Sequence, residues 1–252
     1  MSRSSVIAAS PAPAAPFSCA VSSTSSECIT GQQVFNGSMT GQMTFQNDYG
    51  QQTFIDVEKA PASNFLASGS LVLHYTKTAC AAYWAIGTCD AELSFVLSPV
   101  SDGSWIAAAS LINFPTDVPA WAGHHLTTQN YVTPKGSPTP YLIVPAGAVA
   151  GKTDSRVTSY LRYDKYDELT YNSVISGPAI AEVFWSTDSY IEQVTTPVYS
   201  GPALVSDQRE GTCGHEKWYF APGLGLVKVQ PMDDGSAGCI AEDPALTMFR
   251  VL

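Results

Sequence analysis

The sequence predicts an all-β fold: one large curved antiparallel sheet, half-barrel or sandwich, built of consecutive hairpins and stapled by local disulfides. Short apolar runs alternate with Gly, Pro, Asn and Asp turns along nearly the whole chain, giving roughly fourteen strand candidates. No stretch of about ten residues carries the apolar spacing of an amphipathic helix. Six cysteines fall as three close pairs, each bracketing a hairpin or loop.

In chain order, residues 1–16 form a flexible Ala/Pro/Ser leader, because Pro11, Pro13 and Pro16 interrupt any apolar run. Residues 17–252 read as one extended β domain. After a Ser/Thr-rich segment at 17–32, residues 33–58 hold two turn signals, Asn36-Gly37 and Asn47-Asp48-Tyr49-Gly50. In the strand that follows, Thr53, Ile55 and Val57 alternate with Phe54, Asp56 and Glu58, which predicts one buried and one wet face. Residues 69–77, 91–98 and 104–113 continue the pattern. The tract 115–139, with four prolines, is the longest irregular piece and the place where a boundary between two halves would fall.

Residues 140–150 read as a strand, a Pro-Ala-Gly turn and a second strand. Further runs follow at 156–175, then at AIAEVFWS and YIEQVTTPVY, and Asp207–Gly214 reads as a polar loop. The hairpin Glu216–Gln230 has Trp218, Tyr219 and Phe220 in one arm, Pro222-Gly223 at the bend, and Leu224, Leu226, Val227 and Val229 in the other. A polar loop around Cys239 and a last strand, ALTMFRVL, complete the chain.

Composition narrows the function. Only 13% of residues are charged, about half the usual share, and 12 basic against 22 acidic side chains give a net charge of −10. Such a chain repels phosphate backbones, so no nucleic-acid partner is expected. No apolar run approaches the ~20 residues of a transmembrane segment. Cys19 with Cys28, Cys80 with Cys89, and Cys213 with Cys239 are the local disulfide candidates, although sequence alone leaves other pairings open. Disulfides place the chain in an oxidising compartment: secreted, periplasmic or at the cell surface.

No reactive constellation stands out, and the expectation is no catalytic residue, no metal and no cofactor. His124-His125 point to opposite sides of an extended chain and lack a further ligand at metal spacing. His215-Glu216 lacks the second histidine of HExxH and reads as a polar strand start. Asp233-Asp234-Gly235-Ser236 has the wrong register for a calcium loop and is a turn. Asp164, Asp167 and Glu168 around Lys165 form a solvated turn. Among the aromatics, Tyr83, Trp84, Trp105, Trp121, Trp185, Trp218 and Tyr219 are the candidates for a sugar- or lipid-binding face, with core filling as the competing role of each.

The C-terminal part, about residues 140–252, resembles a loose group of secreted bacterial β-sheet envelope proteins. The shared features are Trp218-Tyr219, the turn Ala221-Pro222-Gly223, the run Gly225-Leu226-Val227-Lys228, and an upstream Val144-Pro145-Ala146-Gly147 turn. The resemblance implies a long antiparallel sheet curled into a half-barrel, similar to the periplasmic lipoprotein-carrier fold. Its motifs are turn chemistry and imply no activity.

The leading expectation is therefore a secreted or cell-envelope protein that is not an enzyme and binds an apolar or glycan ligand. One alternative is a structural subunit of a surface fibre or appendage, self-assembling by strand addition through its leader. The other is a secreted hydrolase whose carboxylate pair is assembled in space.

Overall fold

The first hairpin shows how turn chemistry and two-residue periodicity build this protein. The Asn47 side-chain oxygen accepts hydrogen bonds from the backbone amides of Tyr49 (3.1 Å) and Gln51 (3.0 Å), and Gly50 takes φ 74°. That folded turn joins two strands, Gly41–Gln46 and Gln52–Lys59, in antiparallel register. Thr53, Ile55 and Val57 are buried in the second of them and Phe54, Asp56 and Glu58 are not, as the alternation predicts.

The architecture is that of a computed structural model, which describes residues 17, 19, 28–36, 39–60, 68–77, 92–113, 126–127, 129–132, 142–164, 181–210, 214–232 and 244–252. Its elements begin with β1 (Cys28–Thr30), α1 (Gly31–Val34), β2 (Gly41–Gln46), β3 (Gln52–Lys59), β4 (Leu71–Lys77), β5 (Glu92–Pro99) and β6 (Trp105–Asn113). Short strands follow: β7 (Leu126–Thr127), β8 (Gln129–Val132), β9 (Leu142–Val144) and β10 (Gly147–Val149). The long ones come last: β11 (Asp154–Asp164), β12 (Ala181–Thr196), β13 (Tyr199–Glu210), β14 (Gly214–Ala221) and β15 (Gly225–Pro231), then β16 (Met248–Arg250).

Among the described residues fourteen strands form one sheet in the order β7-β6-β5-β4-β3-β2-β16-β15-β14-β13-β12-β11-β8, with β9 added on β6. Neighbours pair antiparallel throughout. The C-terminal strand β16 lies between β15 and β2, so early and late strands share a single sheet. Among the described residues the sheet is not closed, since β7 and β8 do not pair. Both belong to one short stretch, however. Its start pairs with β6 and its end with β11, which brings the two margins of the sheet to the same place.

Inside the curve sits a plug made of β1, α1, β9 and β10. Its Ile29, Val34, Phe35, Ile143, Val144 and Ala148 belong to the same buried cluster as Phe45, Ile55, Leu73 and Leu97 on one side and Leu204, Trp218, Phe220 and Leu226 on the other. Each such Leu, Ile or Phe removed from water contributes roughly 1.5–3 kcal/mol. A second, smaller cluster lies on the opposite face of β12–β15: Val194, Ala203, Val205, Tyr219, Ala221 and Val227.

The Cys19–Cys28 disulfide is present and anchors the start of β1, with Cα atoms 5.8 Å apart. Closing so short a loop contributes roughly 2–3 kcal/mol by restricting the unfolded chain. Cys80, Cys89, Cys213 and Cys239 lie outside the described residues.

Several local expectations are corrected. Asn36-Gly37 does not join paired strands: β1 pairs with β10, while β2 pairs with β3 and β16. The two runs AIAEVFWS and YIEQVTTPVY are one sixteen-residue strand, β12, because the intervening Thr187 and Ser189 are buried sheet residues rather than turn residues. Asp207–Glu210 is not loop but the end of β13. There Asp207 and Gln208 are buried; Asp207 meets His215 of β14 and the Gln208 side-chain amide nitrogen donates to the Ile143 carbonyl of β9, partners that the sequence cannot reveal.

Candidate functional site

α1 is a single turn, and its position is fixed by a reciprocal cap. Thr30 Oγ1 accepts from the Gln33 amide (3.2 Å), and Gln33 Oε1 accepts from the Thr30 amide (2.7 Å). The turn is pinned from both sides. Gly31 donates to the Ala146 carbonyl (2.7 Å), and Gly223 at the tip of the β14–β15 hairpin donates to the Gln33 carbonyl (2.8 Å). Held this way, α1 presents Gln32, Phe35 and Asn36 to the mouth of the curved sheet.

Two strand turns face them. The β5–β6 turn is closed by Val100 donating to the Ser104 carbonyl (2.9 Å) and Gly103 donating to the Val100 carbonyl (3.0 Å), with Gly103 at φ 91°. Asp102 accepts from both the amide and the hydroxyl of Ser104. The turn before β4 contributes Ser68 and Gly69, and Ser70 just inside it donates to Ser98 Oγ (3.1 Å).

Between these pieces lies a cavity of about 380 Å³. Its apolar wall is Phe35, Trp105, Pro99 and Val100, and its polar wall is Gln32, Asn36, Ser68 and Ser104. Phe35 and Trp105 meet edge to face, with centroids 4.9 Å apart and planes at 83°. None of the described lining residues is charged or titratable. The volume falls at the small end of the range of about 300–1,000 Å³ for small-molecule sites, and the mouth of a β-barrel is a common place for one.

A second polar arrangement occupies the other face of the sheet. Asp207 on β13, 8% exposed at its side chain, lies 2.7 Å from His215 Nε2, 3.5 Å from the Arg209 guanidinium and 3.8 Å from Lys217 Nζ. Arg209 also reaches Asp188 on β12 at 3.3 Å. A carboxylate removed from water needs such partners, and here they tie β12, β13 and β14 together. His215 Nδ1 is buried and makes no hydrogen bond among the described residues.

Next to this cluster the Tyr219 hydroxyl donates to Gln230 Oε1 (3.1 Å), and Lys228 Nζ lies 4.3 Å from the centre of the Tyr219 ring. Burial pushes the Tyr219 phenol well above its ordinary value of 10.0, and the nearby Glu192 carboxylate adds to that. Burial likewise raises Tyr190, although Lys217 pulls the other way. Burial lowers Lys217, but the Tyr190 hydroxyl and the Asp207 and Glu192 carboxylates outweigh it, and its net shift is upward. Burial depresses Lys228.

These directions set an alkaline limit. Above about pH 10 an unfolded chain sheds the tyrosine protons that the fold retains, so stability is complete below that point and falls as pH rises through it. Lys217 acts in the same sense and Lys228 in the opposite one. The denaturant midpoint is expected to drop between about pH 8 and about pH 11, and to drop less steeply in Tyr219→Phe. An equal drop in both proteins would refute the role given to Tyr219.

The two arrangements differ in what they leave open. The charged groups around Asp207 are paired with one another, whereas the cavity leaves room beside its lining, so the cavity is the candidate site. Comparison of the chain with protein-family models, with curated proteins and with solved structures finds no match. Among the described residues no group of three or more His, Cys, Asp or Glu side chains could hold a metal ion.

Of the aromatic candidates, Trp105 lies in the cavity wall, 4% exposed. Trp218 and Tyr219 are each 2% exposed and lie in the two clusters on opposite faces of β14, so they form no common platform. The backbone of Trp185 belongs to β12. Tyr83, Trp84 and Trp121 lie outside the described residues, as do His124, His125, Asp167, Glu168 and Asp233–Ser236. His215 does begin a strand, but as a partner of Asp207. The sequence reading missed Gln32, Phe35 and Asn36. A signal was present in Thr30-x-x-Gln33, the pattern of a capping box.

Proposed function

We propose that this chain is a non-enzymatic binding protein of an oxidising compartment, secreted or held in a cell envelope, that takes a small apolar or glycan ligand in the cavity at the mouth of its sheet. The observation that carries this reading is the lining itself, whose described residues are uncharged and combine aromatic side chains with amides and hydroxyls. Its described lining residues include no group fit to act as a general acid or a general base, which favours binding over turnover. The Cys19–Cys28 bridge supports the compartment. Among the described residues no helix is long and apolar enough to cross a membrane. Strand addition through the sheet margins is less favoured, because β7 already pairs with β6 and β8 with β11.

The test is titration of the full chain by calorimetry and native mass spectrometry with neutral mono- and disaccharides and with a medium-chain alcohol. The expected result is one-to-one binding of at least one probe, lost in Ser68→Trp, which places an indole across the mouth. Failure of every probe to bind, or binding unchanged in Ser68→Trp, would overturn the reading.

A further inference from the structure

We infer that the cavity selects a neutral saccharide, one or two rings in size, over both charged sugars and purely apolar molecules; the inference rests on the ligand-binding reading above. Charge comes first. No described side chain of the lining carries a formal charge, so a carboxylate, sulfate or ammonium group entering it would lose water and gain no counter-charge from them. That disfavours uronic and sialic acids and also fatty acids, whose headgroups need a cation or a charged hydrogen bond.

Polarity comes second. A purely alkyl ligand would suit Phe35, Pro99, Val100 and Trp105 but would cover the Gln32 amide without satisfying it. The Gln32 side-chain amide makes no hydrogen bond among the described residues, and it offers both donors and an acceptor. Ser104 differs. Its hydroxyl proton is committed to Asp102, so toward the cavity its oxygen can only accept. A set that both donates and accepts, set against an apolar wall, matches the hydroxyl rim and C–H face of a sugar ring. It matches neither a hydrocarbon nor an ion.

Size comes third. About 380 Å³ leaves room for a terminal ring and part of its neighbour rather than a long chain. The site would therefore take either a free disaccharide or the end of a longer neutral glycan.

The experiment is a calorimetric comparison of the full chain with neutral disaccharides, the corresponding uronic acid, a medium-chain alcohol and a neutral polysaccharide. Each is run on the natural chain, on Gln32→Ala and on Ser68→Trp. The neutral disaccharide is expected to bind at least about tenfold more tightly than the uronic acid, and Gln32→Ala to weaken it about five- to tenfold, the loss of one hydrogen bond. Polysaccharide binding with one site per chain end would identify glycan ends as the source, and disaccharide binding alone would identify free sugar; both support the inference. Two results would overturn it while leaving ligand binding intact: preference for the alcohol with no effect of Gln32→Ala, or uronic acid bound as tightly as neutral sugar. Absence of all binding to the natural chain, or binding unchanged in Ser68→Trp, would instead remove the site itself.

Discussion

Phe35→Ala is expected to lower the free energy of unfolding by about 3–5 kcal/mol, the range for deleting a buried phenylalanine. Phe35 is 1% exposed and sits where α1 ends. Its ring meets Trp105 of β6 edge to face on one side, and Phe220 of β14 on the other, with centroids 6.4 Å apart and planes at 79°. The side chain therefore links the plug to two strands that lie far apart along the sheet. Truncation removes the buried ring, the cavity it leaves closes only partly, and aromatic pairs contribute about 0.5–1.5 kcal/mol beyond their area. Denaturant titration at constant m-value measures the loss. Phe35→Leu, which keeps most of the volume, should cost less than about 1.5 kcal/mol. A Phe35→Ala loss of under about 1 kcal/mol would mean that the plug is not packed as observed, since core truncations at such sites do not come so cheaply.

That central role explains which parts of the fold were legible in the sequence. Hairpins joined by local turns were readable, because Asn47–Gly50 and Pro222-Gly223 carry their own backbone preferences and the flanking residues alternate with period two. The burial of Thr53, Ile55 and Val57 followed from that period alone. What escaped depends on contacts distant along the chain. Asp207 and Gln208 look like loop residues until His215, Lys217 and the Ile143 carbonyl are brought against them. Asn36-Gly37 carries a hairpin signal, but the segment before it is drawn into the sheet as a plug and pairs with β10, more than a hundred residues away. Period two also cannot tell which face of a strand is open. Trp218 and Tyr219 both fill cores, one on each side of β14. The cavity was the least legible feature, since its three walls come from α1, the turn before β4 and the β5–β6 turn, and no local pattern predicts that they meet.

The second large effect is at Gly31, where two principles predict opposite signs. Gly31 opens a helical turn, and alanine is the better helix former by about 1 kcal/mol, so propensity alone predicts that Gly31→Ala stabilises the protein. Packing predicts the reverse. A Cβ at this position would stand 2.4 Å from the Pro145 carbonyl oxygen and 2.5 Å from that of Gly103. Both obstacles are backbone, so neither can swing aside as a side chain would, and the Gly31 amide is already bound to the Ala146 carbonyl. Relief requires α1 to move away from the β9–β10 connection and from the β5–β6 turn together. Overpacking of this kind costs about 1–3 kcal/mol and occasionally more; with backbone on both sides the loss is expected at about 3 kcal/mol. Gly151→Ala is the control: its Cβ would meet nothing within 4 Å, so only its φ of 74° counts, at about 1–2 kcal/mol. The displacement also has a functional reading, because Gln32 and Gly103 both line the cavity. Gly31→Ala should therefore weaken saccharide binding under conditions where the variant is still fully folded, whereas Gly151→Ala should not. A stabilised Gly31→Ala protein would mean that α1 is not wedged between those two carbonyls, and the walls of the proposed site would lose their common support.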